Sequence, residues 1–267
     1  MRALVSKTSP PFVEIADVPD PKPEHDQALV EVKAISLNRG ETRRLESLEP
    51  GTVTGWDLAG IVKQQAPDGS GPKVGARVVG LMNAGAWAEL AAVETDVLAE
   101  LPEGVSFEQA AALPVAALTA LRALEIGGFV LDKPVLVTGA SGGVGRFAIQ
   151  LAKLAGARVT ALARRTEGLR ELGADEVITE IDLDGPTYDL IIDAVGAGVL
   201  GAAIQRVAPG GTVVSFASTV PEPVSYPARE LFARAPRAKT ASRARIRISR
   251  STPAPTAASR PSGPPCR

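Results

Sequence analysis

The strongest constraint on the fold lies between residues 134 and 156. PVLVTGASGGVG runs an apolar strand straight into a glycine cluster. VGRFAIQLAKLA then repeats its apolar residues at helical spacing, with Gly156 placed as the stop. A strand that turns on glycine into a helix leaves bare backbone N–H groups at the helix start. A pyrophosphate can sit there, against unpaired donors and the positive end of the helix dipole. The unit then repeats. RVTALA reads as strand, TEGLRELGA as helix and EVIT as strand, followed by DLIIDAV, a helix to about residue 207, and TVVSFAS. Strands that are apolar on both faces and alternate with helices specify an α/β fold with a parallel, doubly wound sheet.

Two cofactor patterns fit the glycine loop. Ala140-x-Gly142-x-x-Gly145 is a dinucleotide fingerprint with alanine at its first glycine position. Thr138-Gly139-x-x-x-Gly143-x-Gly145 is the loop of a short-chain dehydrogenase, which also needs a Tyr-x-x-x-Lys pair. Four residues after Tyr188 stands Ile192, and four after Tyr226 stands Glu230. The second pattern therefore lacks its chemistry, and the first is kept.

Residues 1 to about 105 have a different rhythm. ALVS, FVEIADV, ALVEVKAISL, DLAGIV, ARVVGL and WAELAAVE are short strands parted by Pro, Gly and Asp, which argues for an all-β barrel or sandwich. Ser106 to Gln109 then form a capping box, and Pro114 opens a second helix in EQAAALPVAALTALRAL.

The single cysteine, Cys266, rules out an internal disulfide. With one histidine, His25, in the PKPEHDQ turn, a Cys/His zinc site lacks its three or four ligands, and no metal is expected. No apolar run spans a membrane and the N-terminus lacks a signal-like core, so the expectation is a cytoplasmic protein without membrane partners. Net charge is −1, but from Ala235 onward there are eight Lys or Arg and no acid, against 21 basic and 30 acidic residues before it. That segment has almost no large apolar side chains and reads as a disordered basic tail. Without interleaved aromatics it is not expected to bind nucleic acid.

Several segments in order resemble the medium-chain dehydrogenase/reductase superfamily, in its zinc-free, quinone-oxidoreductase-like branch. They are AISLNRGE (34–41), GWDLAG (55–60), GAWAEL (85–90), LPVAALTALRAL, ASGGVG (140–145) with AIQLAKLAGARV, IIDAVG and APGGTVVSF. The resemblance implies an N-terminal GroES-like catalytic β-domain (1–120), a Rossmann NADPH-binding domain (121–234), and a cofactor cleft between them. Residues 235–267 fall outside it. The abrupt loss of periodicity there reads as a truncated or out-of-frame C-terminus with the last sheet strand missing, and a homodimer is expected only if that end were intact. Zinc-dependent relatives carry a cysteine and a His-Glu pair where this chain has Asn38-Arg39 and Trp56-Asp57.

The site expectations follow. Ala140, Ser141, Gly142, Gly143, Val144 and Gly145 form the pyrophosphate turn. Where the second strand ends, an NAD enzyme places an acid for the ribose. This chain has Ala163 and then Arg164-Arg165, which can pair with a 2′-phosphate or can be an ordinary solvated pair. The missing acid points to NADPH. The resemblance places Thr119 near the nicotinamide ribose, its alternative being a helix threonine bonded to its own backbone. Ala194-Val195 and Phe216-Ala217 stand at strand ends, at the cofactor or in plain core packing. Asn38 is the candidate catalytic hydrogen-bond donor, its alternative a turn residue. Trp56 is a pocket floor or a core residue, Asp57 a structural carboxylate and Trp87 a β-domain anchor. With no metal, the substrate is expected to be an electrophile that delocalises charge itself, a quinone or α,β-unsaturated carbonyl. The other readings are an enoyl-thioester reductase and a non-catalytic NADPH-binding sensor protein.

Overall fold

A computed structural model of the chain describes residues 1–218, 221–234 and 237–240. The N-terminal part is a β-domain. A hairpin of β1 (Arg2–Ser6) and β2 (Val13–Asp17) stands beside a five-stranded antiparallel sheet. That sheet holds β3 (Gln27–Ile35), β4 (Asp57–Gln64), β5 (Arg77–Leu81), β6 (Leu90–Glu94) and β7 (Leu98–Glu100), in the order β6-β3-β4-β5-β7. Alternation does the sorting: Ala28 and Val30 of β3 turn into a core shared with Leu58, Val62, Val78 and Val93, while their neighbours stay half-exposed. Trp87 is buried in that core, with Nε1 donating to the Ser36 carbonyl. His25 is on the surface.

A short helix, α1 (Arg39–Arg44), interrupts the strands between β3 and β4. Two helices then lead out of the β-domain, α2 (Phe107–Ala111) and α3 (Pro114–Gly127). Ser106 caps the first, accepting from the Gln109 N–H while the Gln109 side chain accepts from the Ser106 N–H. Pro114 begins the second, where its missing N–H costs nothing.

The remaining elements are β8 (Pro134–Thr138), α4 (Gly143–Leu154), β9 (Arg158–Leu162), β10 (Glu176–Ile178), β11 (Tyr188–Asp193), α5 (Ala197–Ile204), β12 (Val207–Ser215), α6 (Arg229–Arg234) and β13 (Arg237–Thr240). Their strands form one parallel sheet in the order β10-β9-β8-β11-β12-β13. Numbered within the domain this is 3-2-1-4-5-6, the dinucleotide-binding order, and it reverses between β8 and β11. Val135, Leu136 and Val137 are fully buried, as a strand covered on both faces requires. The apolar face of α4, Ala148, Ile149 and Ala152, packs on Val135 and Val137, while Leu136 joins Ile191 and Val213 in a separate cluster.

Two elements differ from expectation. TEGLRELGA forms successive turns and no helix. Gly168 and Gly173 both take positive φ there, which breaks the helical ladder while Leu169 still reaches the core. No sixth strand is expected from the sequence, yet Arg237–Thr240 pairs with Thr212–Ser215 of β12. An edge strand needs only backbone groups to pair, so RAKT carries no apolar signal of it. The rest of the basic tail, residues 241–267 with Cys266, lies outside the described residues.

Candidate cofactor and substrate cleft

The C-terminal ends of β8, β9, β11 and β12 open onto a cleft of ≈ 1850 Å³ whose other wall is built by α1, Trp56 and α3. A second hollow of ≈ 200 Å³ lies at the N-terminal ends of β8, β9, β10 and β11, lined by Arg158, Thr160, Asp175 and Tyr188. Ligands of open α/β sheets bind at the carboxyl ends, outside the switch point, which makes the larger cleft the candidate site.

Its sheet-side wall is made of backbone. The N-cap of α4 is Gly142, which has no side chain to accept a hydrogen bond, so the first amides of α4, at Gly143, Val144 and Gly145, meet no side-chain cap. This is the donor set a pyrophosphate needs, and the fit to a dinucleotide rests on it. Gly145 is where helix and strand pass closest. A Cβ there would lie 2.5 Å from the Gly139 oxygen and 2.7 Å from the Ala140 Cα. Ala140 itself sits beneath the turn, fully buried, with its N–H on the Leu162 carbonyl. The turn residues that reach the cleft are Gly139 and Ser141 to Gly145.

One buried carboxylate ties the strand ends together. Asp193, fully buried at the end of β11, accepts from the Thr138 hydroxyl at 2.6 Å and the Ser215 hydroxyl at 3.1 Å. It also accepts from the N–H groups of Val195 at 3.3 Å and Gly196 at 3.1 Å. Three strands are thus fixed at the edge where Ala194, Val195, Phe216 and Ala217 line the cleft. Arg164 and Arg165 line it beyond β9, both exposed and with no acid beside them in sequence.

The opposite wall is assembled from side chains. Asn38 is the N-cap of α1, and Glu41 three residues on completes a capping box. Glu41 Oε2 accepts from the Asn38 backbone N–H at 2.6 Å and from Asn38 Nδ2 at 2.8 Å, while Oε1 accepts from the Trp56 N–H at 2.6 Å. The same Nδ2 donates to Asp57 Oδ2 at 2.7 Å, and Asp57 Oδ1 accepts from the Val115 N–H in the first turn of α3 at 3.1 Å. Glu41 and Asp57 are 1% and 0% exposed. Both hydrogens of the Asn38 amide are therefore committed to carboxylates. A substrate oxygen would gain a bond from Asn38 only by displacing one of them. Asn38, Trp56, Thr119, Leu118 and Arg122 all line this wall. Arg43 of α1 also donates to the carbonyl of Ser218, beyond β12, at 2.6 Å.

The sequence patterns reached the turn, the arginine pair, Thr119, Asn38 and the strand ends. They missed Gly139, Thr179 and the Gly196–Val199 turn, all cleft-lining. They also missed Glu41, although Asn-x-x-Glu is itself a helix-start signal. Among the described residues, no group of three or more His, Cys, Asp or Glu is placed to hold a metal ion, and no helix is long and apolar enough to cross a membrane.

Residues 24–103 match the alcohol dehydrogenase GroES-like domain, and residues 143–252 the family described as zinc-binding dehydrogenase. An alcohol dehydrogenase superfamily protein from Novosphingobium aromaticivorans superposes with a TM-score of 0.80 at 30% identity, covering 90% of this chain and 78% of that one. The chain belongs to the medium-chain dehydrogenase/reductase superfamily. Among its curated relatives, the quinone-oxidoreductase homolog, chloroplastic, of Spinacia oleracea is 41% identical over 184 residues, covering 62% of this chain and 55% of that protein. The NADPH-dependent alkenal/one oxidoreductase, chloroplastic, of Arabidopsis thaliana is 35% identical over 227 residues, covering 76% and 58%. The chain thus spans little more than half the length of these superfamily members. The N-terminal β-domain and the parallel-sheet domain are those the superfamily resemblance implied.

Proposed function

We propose that the protein is a zinc-independent oxidoreductase that delivers hydride from NADPH to a quinone or α,β-unsaturated carbonyl. The observation that carries this reading is the cleft's pairing of an uncapped helix start on Gly142–Gly145 with two arginines, and no carboxylate, at the end of β9. The names of the two curated relatives support the same acceptor classes.

A bound nicotinamide supplies the transferable hydride; the chain's own residues place and shield it. The amides of Gly143, Val144 and Gly145 hold the pyrophosphate, and Arg164 and Arg165 grip the 2′-phosphate. Thr119, Ala194, Val195, Phe216 and Ala217 bound the nicotinamide end. Asp193 holds that edge rigid, so the reacting carbon is oriented without further cost. Quinones and enones spread the incoming charge over their own conjugated oxygen, so no strong acid or metal is needed and solvent supplies the proton. Asn38 then serves as a positioning residue, its amide joining Glu41 to Asp57 and so α1 to α3.

Steady-state oxidation of NADPH and NADH with a panel of small quinones and enones tests the reading. Turnover is expected with NADPH. In the Arg164→Ala/Arg165→Ala variant, NADPH affinity should fall about 10- to 100-fold while NADH is little changed, since two exposed guanidiniums, screened by water, together contribute about 1.4–2.8 kcal/mol. Equal use of NADH and NADPH by the wild type sinks the arginine assignment. Preference for a crotonyl thioester over every quinone turns the reading to an enoyl-thioester reductase. Tight NADPH binding without turnover turns it to a sensor.

A further inference from the structure

We propose that the indole of Trp56 is the platform on which the conjugated part of the acceptor stacks, and that Gly40 sets where that platform stands. The inference rests on the quinone or enone reading above and names the residue that selects among such acceptors.

The chain has two tryptophans, used differently. Trp87 is 4% exposed and belongs to the β-domain core. Trp56 is half-buried and lines the cleft among Leu37, Leu81 and Leu118. Its backbone is pinned on both sides: the N–H donates to Glu41 Oε1 at 2.6 Å, and the carbonyl accepts from the Met82 N–H at 2.7 Å. The benzo edge of the ring rests on Gly40, where a Cβ would come within 2.8 Å of Cη2 and 3.1 Å of Cζ3. The guanidinium carbon of Arg44 lies 5.9 Å from the ring centroid. A large side chain with two torsions is thus held by backbone bonds, an edge contact and a cation before any ligand arrives. Indole is electron-rich and a quinone is electron-poor and planar, so the two favour offset stacking beyond the area they bury. A linear alkenal has less planar surface and gains less. A ring fixed this way discriminates between acceptors of one reactivity by the extent of their flat face.

The test compares wild type, Trp56→Phe, Trp56→Leu and Gly40→Ala, with 1,4-naphthoquinone and trans-2-hexenal as acceptors at saturating NADPH. Trp56→Leu should lower kcat/KM for naphthoquinone roughly three- to tenfold more than for hexenal, mostly through KM. Trp56→Phe should restore part of the difference, and Gly40→Ala, which displaces the ring, should resemble Trp56→Leu. An equal loss for both acceptors, or a loss confined to kcat, overturns the proposal. Fluorescence gives a readout independent of turnover. Naphthoquinone should quench wild-type indole emission saturably, and the saturable part should vanish in Trp56→Phe. If neither acceptor is reduced yet saturable quenching persists, the oxidoreductase reading fails and the platform stands. If turnover is present and quenching is only linear, the platform fails and the oxidoreductase reading stands.

Discussion

The two walls of the cleft are built on opposite principles. The sheet-side wall is backbone, with amides at the start of α4 and three strand ends knotted by Asp193, whose partners lie on β8, on β12 and in the turn after β11. The opposite wall is side chain, with Asn38, Glu41, Asp57 and the start of α3 joined by hydrogen bonds that span up to 58 residues. Each wall contains buried carboxylates, and in each they act as acceptors for structural N–H groups. The difference lies in their company. Asp193 is alone among donors. Glu41 and Asp57 bond one nitrogen at 2.8 and 2.7 Å, so their oxygens lie at most about 5.5 Å apart. Two ionised carboxylates at that distance would repel by about 3 kcal/mol at an effective dielectric of 20, which the shared Asn38 amide and the backbone donors offset. A backbone wall is fixed by what cannot be added to it; a side-chain wall is a balance that substitution can tip either way.

The largest effect should come from adding one methyl to the first wall. Gly145→Ala places a Cβ 2.5 Å from the Gly139 oxygen and 2.8 Å from the Ala140 oxygen, both main-chain atoms that no rotamer change can clear. Helix α4 must shift, at a cost of about 1–3 kcal/mol or more, and its amides leave the position proposed for the pyrophosphate. Calorimetry should show NADPH affinity reduced at least about 100-fold, together with a lowered Tm. Unchanged binding would break the claim that backbone contact sets this wall.

Next in size is a matched pair. Asp193→Ala strips the acceptor from two hydroxyls and two N–H groups in a fully buried place, which costs about 3 kcal/mol and, for a chain of this size, lowers Tm by about 6–12 °C. Asp57→Ala removes the α3 cap and one partner of Asn38 but also relieves the repulsion from Glu41. Its Tm should fall by less than half as much, while acceptor KM rises because α3 loses the bond that ties Val115 to the Asn38–Glu41 cluster beside Trp56. Thermal melts of both variants decide. Equal losses would mean the two carboxylate settings are alike after all.

The same contrast governs what the sequence makes legible. Backbone walls write themselves locally. The strand-glycine-helix run at 134–145, the Ser106 box, Pro114 and Gly156 each encode their structure within a few residues, and each element stands where its signal lies. Side-chain walls do not. Asn38 and Asp57 are 19 residues apart, and nothing in either stretch says that one amide bridges two acids. Short-range signals also mislead where glycine intervenes: TEGLRELGA has helical spacing, and two positive-φ glycines turn it into a chain of turns. The edge strand Arg237–Thr240 is silent for a third reason, since pairing at an edge asks nothing of side chains.

The smallest expected effect comes from the far end of the same sheet and serves as the comparison's control. Asp175 bonds Lys153 Nζ at 2.5 Å and the Val159 N–H at 2.8 Å, and the Lys153 bond first, then the Val159 bond, hold its carboxyl below the ordinary 3.8. A carboxylate held low in the folded state contributes stability above its unfolded pKa, and the contribution is lost as pH falls through the lower folded value. The loss therefore belongs below about pH 4. Both side chains are more than two-fifths exposed, 45% and 44%, so water screens the pair and its worth is about 0.5 kcal/mol or less. Asp175→Asn should lower Tm by at most about 2 °C at pH 7, and the gap to wild type should close between pH 4 and pH 2. A drop as large as that of Asp193→Ala would mean that the number of buried donors left without an acceptor is the wrong axis on which to rank this protein's carboxylates.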